Sequence, residues 1–271
     1  MKTKTGVDRS ARAPSRIGLA KERSLHAAIK EWYAEPGDEF EVGVDGYVID
    51  LVRPAGPDGR KLLIEIQTRN FTAIAPKLQA LVARYQVRLV YPIPRRKTII
   101  RITADGEVCG SRRSPKSGTA LDLFRELVRI PKLINEPNFS IEVLLIEEEE
   151  IRRADGRGSW RRKGVSIADR RLMAVEERLL FRESDDFRCF LPPDMPLPFS
   201  NKEYACFCKC SIYLARKLTY CLKKMGLLYQ VGKRGNQLLY AVRDFEGKVS
   251  SQAAGYTAPN VESLAVADRE E

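Results

Sequence analysis

The chain has 271 residues, 44% of them hydrophobic and 31% charged, with a formal net charge of +11; this is the balance of a folded protein with room for one large domain or two modest ones. No apolar run approaches the roughly 20 residues that span a bilayer, and the polar, basic start lacks the apolar stretch of a secretory signal, so no membrane partner and a cytoplasmic location are expected. His26 is the only histidine, which excludes a multi-histidine metal site and leaves carboxylates and a metal to carry any hydrolytic chemistry.

In chain order, residues 1–18 read as a flexible basic arm. From Leu19 a helix is expected, with Leu25, Ala28, Ile29 and Trp32 on one face and Pro36-Gly37 as its end. Residues 40–44 and 47–52 around Asp45-Gly46 predict a hairpin, residues 61–68 a third strand, and residues 75–85 a helix. Val87 to Tyr91 reads as a short strand stopped by Pro92 and Pro94. Residues 98–103 and 140–146 read as further strands around a helix at 121–128. This order predicts a mixed α/β domain over residues 19–150.

Residues 151–165 read as a basic hairpin or linker, with Arg161, Arg162 and Lys163 following Trp160. Ser166 is read as the cap of a helix bearing Leu172, Val175, Leu179 and Leu180, opening a helical, DNA-binding region over 166–246. Within it Ser200 to Glu203 fits a capping box. A second helix runs to Met225 with Leu214, Leu218, Cys221 and Leu222 inward, Gly226 supplies a left-handed cap, and residues 227–231 and 237–242 form a hairpin. Cys206, Cys208 and Cys210 are too closely spaced for paired zinc ligands and read as small buried side chains. Residues 247–271 read as a disordered tail.

The remaining basic groups cluster at Arg9 to Arg23, Arg95 to Lys97, Arg112-Arg113, Arg152-Arg153 and Arg170-Arg171. A polyanion is their natural partner, because phosphate contacts by Lys and Arg release condensed counterions. Two acids stand where buried strands carry apolar residues: Asp50 within Val48 to Val52, and Glu65 within Leu62 to Ile66. An unpaired carboxylate there is costly, so a metal, a cation or a strong donor must compensate each one. Gln67 shares a face with Glu65, and Glu22 faces inward on the opening helix.

Glu22 on the first helix, Asp50 at the end of the hairpin and Glu65-Ile66-Gln67 on the next strand resemble the PD-(D/E)XK nuclease superfamily. The helix, meander, helix, strand order of residues 19–91 is similar to its core. The resemblance implies a restriction-endonuclease-like mixed sheet flanked by helices. It also implies Glu22, Asp50, Glu65 and Gln67 as catalytic residues, with Mg2+ or Mn2+ held by Asp50, Glu65 and the Ile66 carbonyl for phosphodiester hydrolysis. Gln67 stands where the superfamily carries lysine, and Lys77 on the next helix is the candidate for a displaced ammonium.

Residues 200–242 resemble a winged helix-turn-helix. That resemblance implies Arg216, Lys217, Tyr220 and Lys224 facing double-stranded DNA, with Lys233 and Arg234 at the wing tip. The expected function is a metal-dependent DNA endonuclease targeted by the winged helix. The residues leave open a non-catalytic DNA-binding or regulatory protein with a degenerate nuclease fold, an acid pair neutralised by buried Arg or Lys, and an assembly subunit whose winged helix binds protein. A homodimer also stays open.

Overall fold

The computed structural model describes residues 25–56, 59–158, 160–191 and 194–243. Glu22, the basic arm and the tail lie outside the described residues, as does the side chain of Arg162. Helix α1 (Leu25–Tyr33) leads into strands β1 (Glu39–Val44), β2 (Tyr47–Arg53) and β3 (Leu62–Ile66), then α2 (Phe71–Val82). Strands β4 (Gln86–Ile102) and β5 (Val108–Arg113), short helix α3 (Phe124–Leu127), β6 (Phe139–Ala154) and β7 (Val165–Phe181) complete this part. Among the described residues these form one seven-stranded mixed sheet in the order β1-β2-β3-β4-β6-β7, with β5 paired to β4.

The meander β1-β2-β3 is antiparallel, whereas β4 runs parallel to both β3 and β6. Asp45 and Gly46 turn the first hairpin with φ of 48° and 82°, the left-handed pair that a two-residue turn of matching twist requires. Helices cover both faces. On one, Leu78, Leu81, Phe124 and Leu127 pack over Leu63, Leu89, Val143 and Leu145. On the other, Leu25, Ile29 and Tyr33 of α1 pack over Leu51, Ile64, Val90 and Leu144. Trp32, expected on that buried face, is 44% exposed and carries the Arg178 guanidinium 5.7 Å from its ring; Tyr33 takes the inward place because its hydroxyl reaches buried Glu142.

Strand β4 passes through Pro92 and Pro94, where the sequence predicts a stop. Its pairing with β3 ends at Val90 and its pairing with β5 begins at Thr98, so the prolines occupy a stretch open on that edge, where a missing N–H removes no ladder bond. A second correction concerns residues 166–181. They are the last strand of the sheet, not a helix, and the helical region begins later than residue 166. Register shifts at Leu145/Ile146, Glu147/Glu148 and Ile151/Arg152 break the alternation of β7 against β6, so its apolar residues fall at near-helical spacing. The acidic run Glu147 to Glu150 lies inside β6, and basic residues of β4 pair with three of its four acids. Arg96 pairs with Glu147 at 3.0 Å, and Lys97 with Glu148 at 2.7 Å and Glu150 at 3.1 Å.

The C-terminal part contains β8 (Phe199–Ser200), α4 (Asn201–Phe207), α5 (Ile212–Lys224), β9 (Leu228–Arg234) and β10 (Gln237–Val242), with the strands ordered β8-β10-β9. It shares a core with the sheet: Phe190 sits edge-on to Phe124 at 4.9 Å, and Leu218 and Leu222 of α5 join the same cluster. Cys206 is exposed and Cys208 and Cys210 are half-buried, so they are not the core residues expected; Cys221 is. Burial pushes the Cys208 thiol up to about 12.

The expected capping box is present. Ser200 N–H donates to Glu203 Oε2 at 2.7 Å, and Glu203 N–H donates to Ser200 Oγ at 3.3 Å. Ser200→Ala is expected to lower the unfolding free energy by about 1 kcal/mol, the usual worth of an N-cap, read as a fall in the urea midpoint without a change in slope.

Candidate active site

Strands β2 and β3 pair Leu51 with Ile64 and Val52 with Leu63, and Asp50 and Glu65 follow directly on the Leu51–Ile64 pair, where that ladder ends. Hydrophobic neighbours on both strands hold this register, because a one-residue slip would turn Leu51 and Leu63 to the wrong faces. The two acids therefore share one end of the meander. Asp50 Oδ2 accepts hydrogen bonds from the Ile66 N–H at 2.9 Å and from His26 Nε2 at 3.1 Å. Partial burial opposes ionisation of Asp50, but His26 and the Ile66 N–H more than offset it, and the carboxyl is held below its ordinary range.

Glu65 is 4% exposed, and its Oε1 meets the Lys77 ammonium in an ion pair rather than an aligned hydrogen bond. Lys77 also donates to the Val48 carbonyl at 2.5 Å, which ties α2 to the edge of β2. Packing of Phe71, Ile74, Leu78 and Leu81 fixes the helix, so Lys77 projects back over the strands that carry the acids. Burial raises the Glu65 pKa, Lys77 opposes the rise, and nearby Asp50 adds to it. One acid is thus held ionised while its neighbour has a raised proton affinity, the divergence expected where two carboxyls share a site.

Gln67 is half-buried; its side-chain amide donates to the Asn70 carbonyl at 3.3 Å. Sequence reasoning missed His26 as a partner of Asp50. The signal lay in its spacing, since it falls one helical turn after Glu22 on the helix expected to face the acids.

Carboxylate and carbonyl oxygens are hard donors of the kind that Mg2+ and Mn2+ prefer. Among the described residues no group of three or more His, Cys, Asp and Glu gathers around one point. Mg2+ commonly binds through one or two carboxylates and completes its shell with water and substrate phosphate, so Asp50, Glu65 and the Ile66 carbonyl fit it as a partial set.

The Asp50–His26 contact carries a pH signature. The hydrogen bond to Asp50 raises the His26 pKa above 6.5, burial and Lys30 lower it, and the Asp50 charge and the Ile66 carbonyl add to the rise. The stabilisation is complete below the unfolded value of 6.5 and is lost as pH rises through the folded one. Urea unfolding of His26→Asn beside the parent should show a stability gap at pH 5–6 that narrows toward pH 9; a constant gap contradicts it.

The basic residues separate into open and engaged groups. On α5, Arg216, Tyr220 and Lys224 are exposed, with the Lys224 ammonium 5.7 Å from the Tyr220 ring centroid. Lys217 turns the other way and donates to the Arg125 carbonyl at 2.8 Å, so it braces α5 against α3 instead of joining the open face. Lys233 is exposed on β9, and Arg234 pairs with Glu203 at 2.5 Å. Between β6 and β7, Trp160 is 83% exposed with the Arg161 guanidinium 5.5 Å from its ring, and Lys163 is exposed.

A family model described as a domain of unknown function, DUF8091, matches residues 23–182, more than half of the chain. The chain belongs to this family. The DUF8091 region spans α1 to β7, so it contains the whole large sheet and the acid pair and stops before the C-terminal module. An uncharacterized protein of Treponema pallidum (strain Nichols) is 30% identical over 224 residues, 83% of this chain and 86% of that one, a stretch longer than the DUF8091 region. No solved structure matches. Among the described residues of this DUF8091 protein, no helix is long and apolar enough to cross a membrane.

Proposed function

We propose that the chain is a metal-dependent DNA endonuclease, with a restriction-endonuclease-like sheet carrying the acid pair and a winged helix-turn-helix at residues 200–242 holding the duplex in the cytoplasm. One observation carries this reading: Asp50 and Glu65 both follow directly on the last pair of the β2–β3 ladder, with Asp50 accepting from the Ile66 N–H and the Lys77 ammonium reaching Glu65 from the following helix. The order α1, three-stranded meander, α2 and a β4 parallel to β3 supports the superfamily resemblance. The order α4, α5 and a β9–β10 hairpin supports the winged helix.

In this reading Asp50, Glu65 and the Ile66 carbonyl would hold Mg2+ or Mn2+, which when bound activates water and neutralises charge on the phosphodiester. The protein groups have separate tasks. The bonds from Ile66 and His26 hold Asp50 in place by Oδ2. Lys77 supplies the positive charge that Gln67 lacks, stabilising charge that develops on the phosphoryl oxygens. Gln67 orients a water through its amide. Arg216, Tyr220 and Lys224, with Lys233 on the wing, contact the DNA backbone.

The test is incubation of the full chain with supercoiled plasmid in Mg2+ or Mn2+, with EDTA as control; metal-dependent nicking or linearisation is the expected result. A second reading, a DNA-binding protein with an inactive nuclease fold, is favoured by the partners that both acids already have in Lys77 and His26. Salt-sensitive duplex binding without cleavage in any divalent ion would select it.

A further inference from the structure

A cleft of about 640 Å³ opens over the proline-containing stretch of β4. Leu25 and Thr68, neighbours of His26 and Gln67, line one side of it. The rest is formed by β4 from Tyr91 to Lys97, the segment Ser114 to Gly118 and residues of α3, β6 and β7. Its volume is in the range of clefts that hold small ligands, about 300–1,000 Å³, and is too small for a duplex.

Its charge is organised. Lys97, Lys116, Arg125, Arg152 and Arg170 line it. Three acids answer them: Asp122 pairs with Arg125, Glu148 with Lys97, and Glu150 with Lys97, Arg152 and Arg170. Five cations against three acids leave an excess of two positive charges. Two of the acids lie deeper than the cations they hold. Glu148 is 0% exposed and Glu150 2%, whereas Lys116 is exposed and none of the described residues makes an ion pair with it. Glu148 also has unfilled hydrogen-bonding capacity: neither oxygen accepts a hydrogen bond from a described residue, and its compensation is the Lys97 ammonium. Buried carboxylates thus hold the head groups of Lys97, Arg152 and Arg170, and the two guanidinium groups, with five N–H donors each, keep donors beyond these contacts. An aromatic ring is also at hand, since Tyr91 lines the cleft and Phe71 holds it edge-on at 5.0 Å.

We propose that this cleft binds the sugar–phosphate backbone of a single nucleic-acid strand and leads it to the acid pair. A cationic groove with an aromatic platform is the general solution for binding single strands independent of sequence. The inference rests on the nuclease reading for what happens at the end of the path, but the binding itself does not require cleavage.

The experiment measures anisotropy of a fluorescent single-stranded oligonucleotide with the full chain in EDTA, across a salt series, for the parent, Lys116→Glu and Arg170→Glu. Each substitution is expected to weaken binding by about tenfold and to flatten the slope of log K against log salt by about 0.7 for each phosphate that is no longer neutralised. Thermal melting checks folding, and Lys116→Ala and Arg170→Ala are gentler versions with the same expected direction. Unchanged affinity in folded variants overturns the proposal. Displacement of the strand by inorganic phosphate at comparable concentration also overturns it, in favour of a small-anion pocket. Plasmid cleavage by the same proteins keeps the two readings apart: lost strand binding with no cleavage in the parent rejects only the nuclease, and intact cleavage with unchanged strand binding rejects only the cleft.

Discussion

Asp50→Ala and Glu65→Ala are each expected to abolish metal-dependent plasmid cleavage while leaving duplex affinity within a factor of a few. Removing an outer partner of a metal ligand typically costs about 10–100-fold, and losing a ligand from a set of two carboxylates and a carbonyl should cost more. The isosteric changes Asp50→Asn and Glu65→Gln sharpen the result, because they preserve volume and most hydrogen bonding but remove the charge that a divalent ion needs. Binding should survive because the exposed basic groups of α5 and β9 lie on elements remote in sequence from β2 and β3. Initial nicking rates in Mg2+ and Mn2+, beside anisotropy on a duplex, measure both. Rates within a few-fold of the parent in both alanine variants would remove the acid pair from the chemistry.

How much of this was legible in the sequence depended on whether the signal was local. Asp45-Gly46 and the Ser200 to Glu203 box announce a turn and a helix start within four residues, and both occur where expected. Asp50 and Glu65 were conspicuous because acids inside apolar runs violate the burial pattern of a strand. The failures came where long-range pairing overrode the local pattern. The apolar residues of β7 mimic a helix because register shifts interrupt their alternation, and β4 crosses two prolines because its neighbour has already ended. The clusters at Arg95 to Lys97 and at Arg170 looked like free polyanion-binding groups. Arg96 and Lys97 are committed to Glu147, Glu148, Glu150 and Glu176, a pairing that only the sheet order reveals, whereas Arg170 makes one contact, to Glu150 at 3.4 Å. His26 was visible as the only histidine, but its partner lies 24 residues away on another element.

Lys77→Met should be the most damaging single change to stability at this site. Glu65 has a side chain 5% exposed and Lys77 one 18% exposed, so the substitution leaves a buried carboxylate without its counter-charge. Breaking one side of a buried pair costs about 3–5 kcal/mol, whereas replacing both partners by neutral groups is often tolerated. Lys77→Met combined with Glu65→Gln should therefore recover most of the loss. The pH dependence has a definite sign. Glu65 already has a folded pKa above its ordinary 4.5, so its ionisation destabilises the fold as pH rises from that value through the folded one. Without Lys77 the folded value rises further, and the stability gap between Lys77→Met and the parent should widen as pH increases. A divalent ion at the acid pair would supply the missing positive charge, so Mg2+ or Mn2+ should raise the Tm of Lys77→Met more than that of the parent. Urea unfolding with and without the ion reads all three effects. If Lys77→Met is as stable as the parent and indifferent to metal, the ammonium neither holds Glu65 nor stands in for the superfamily lysine, and Gln67 would leave the site without a transition-state cation.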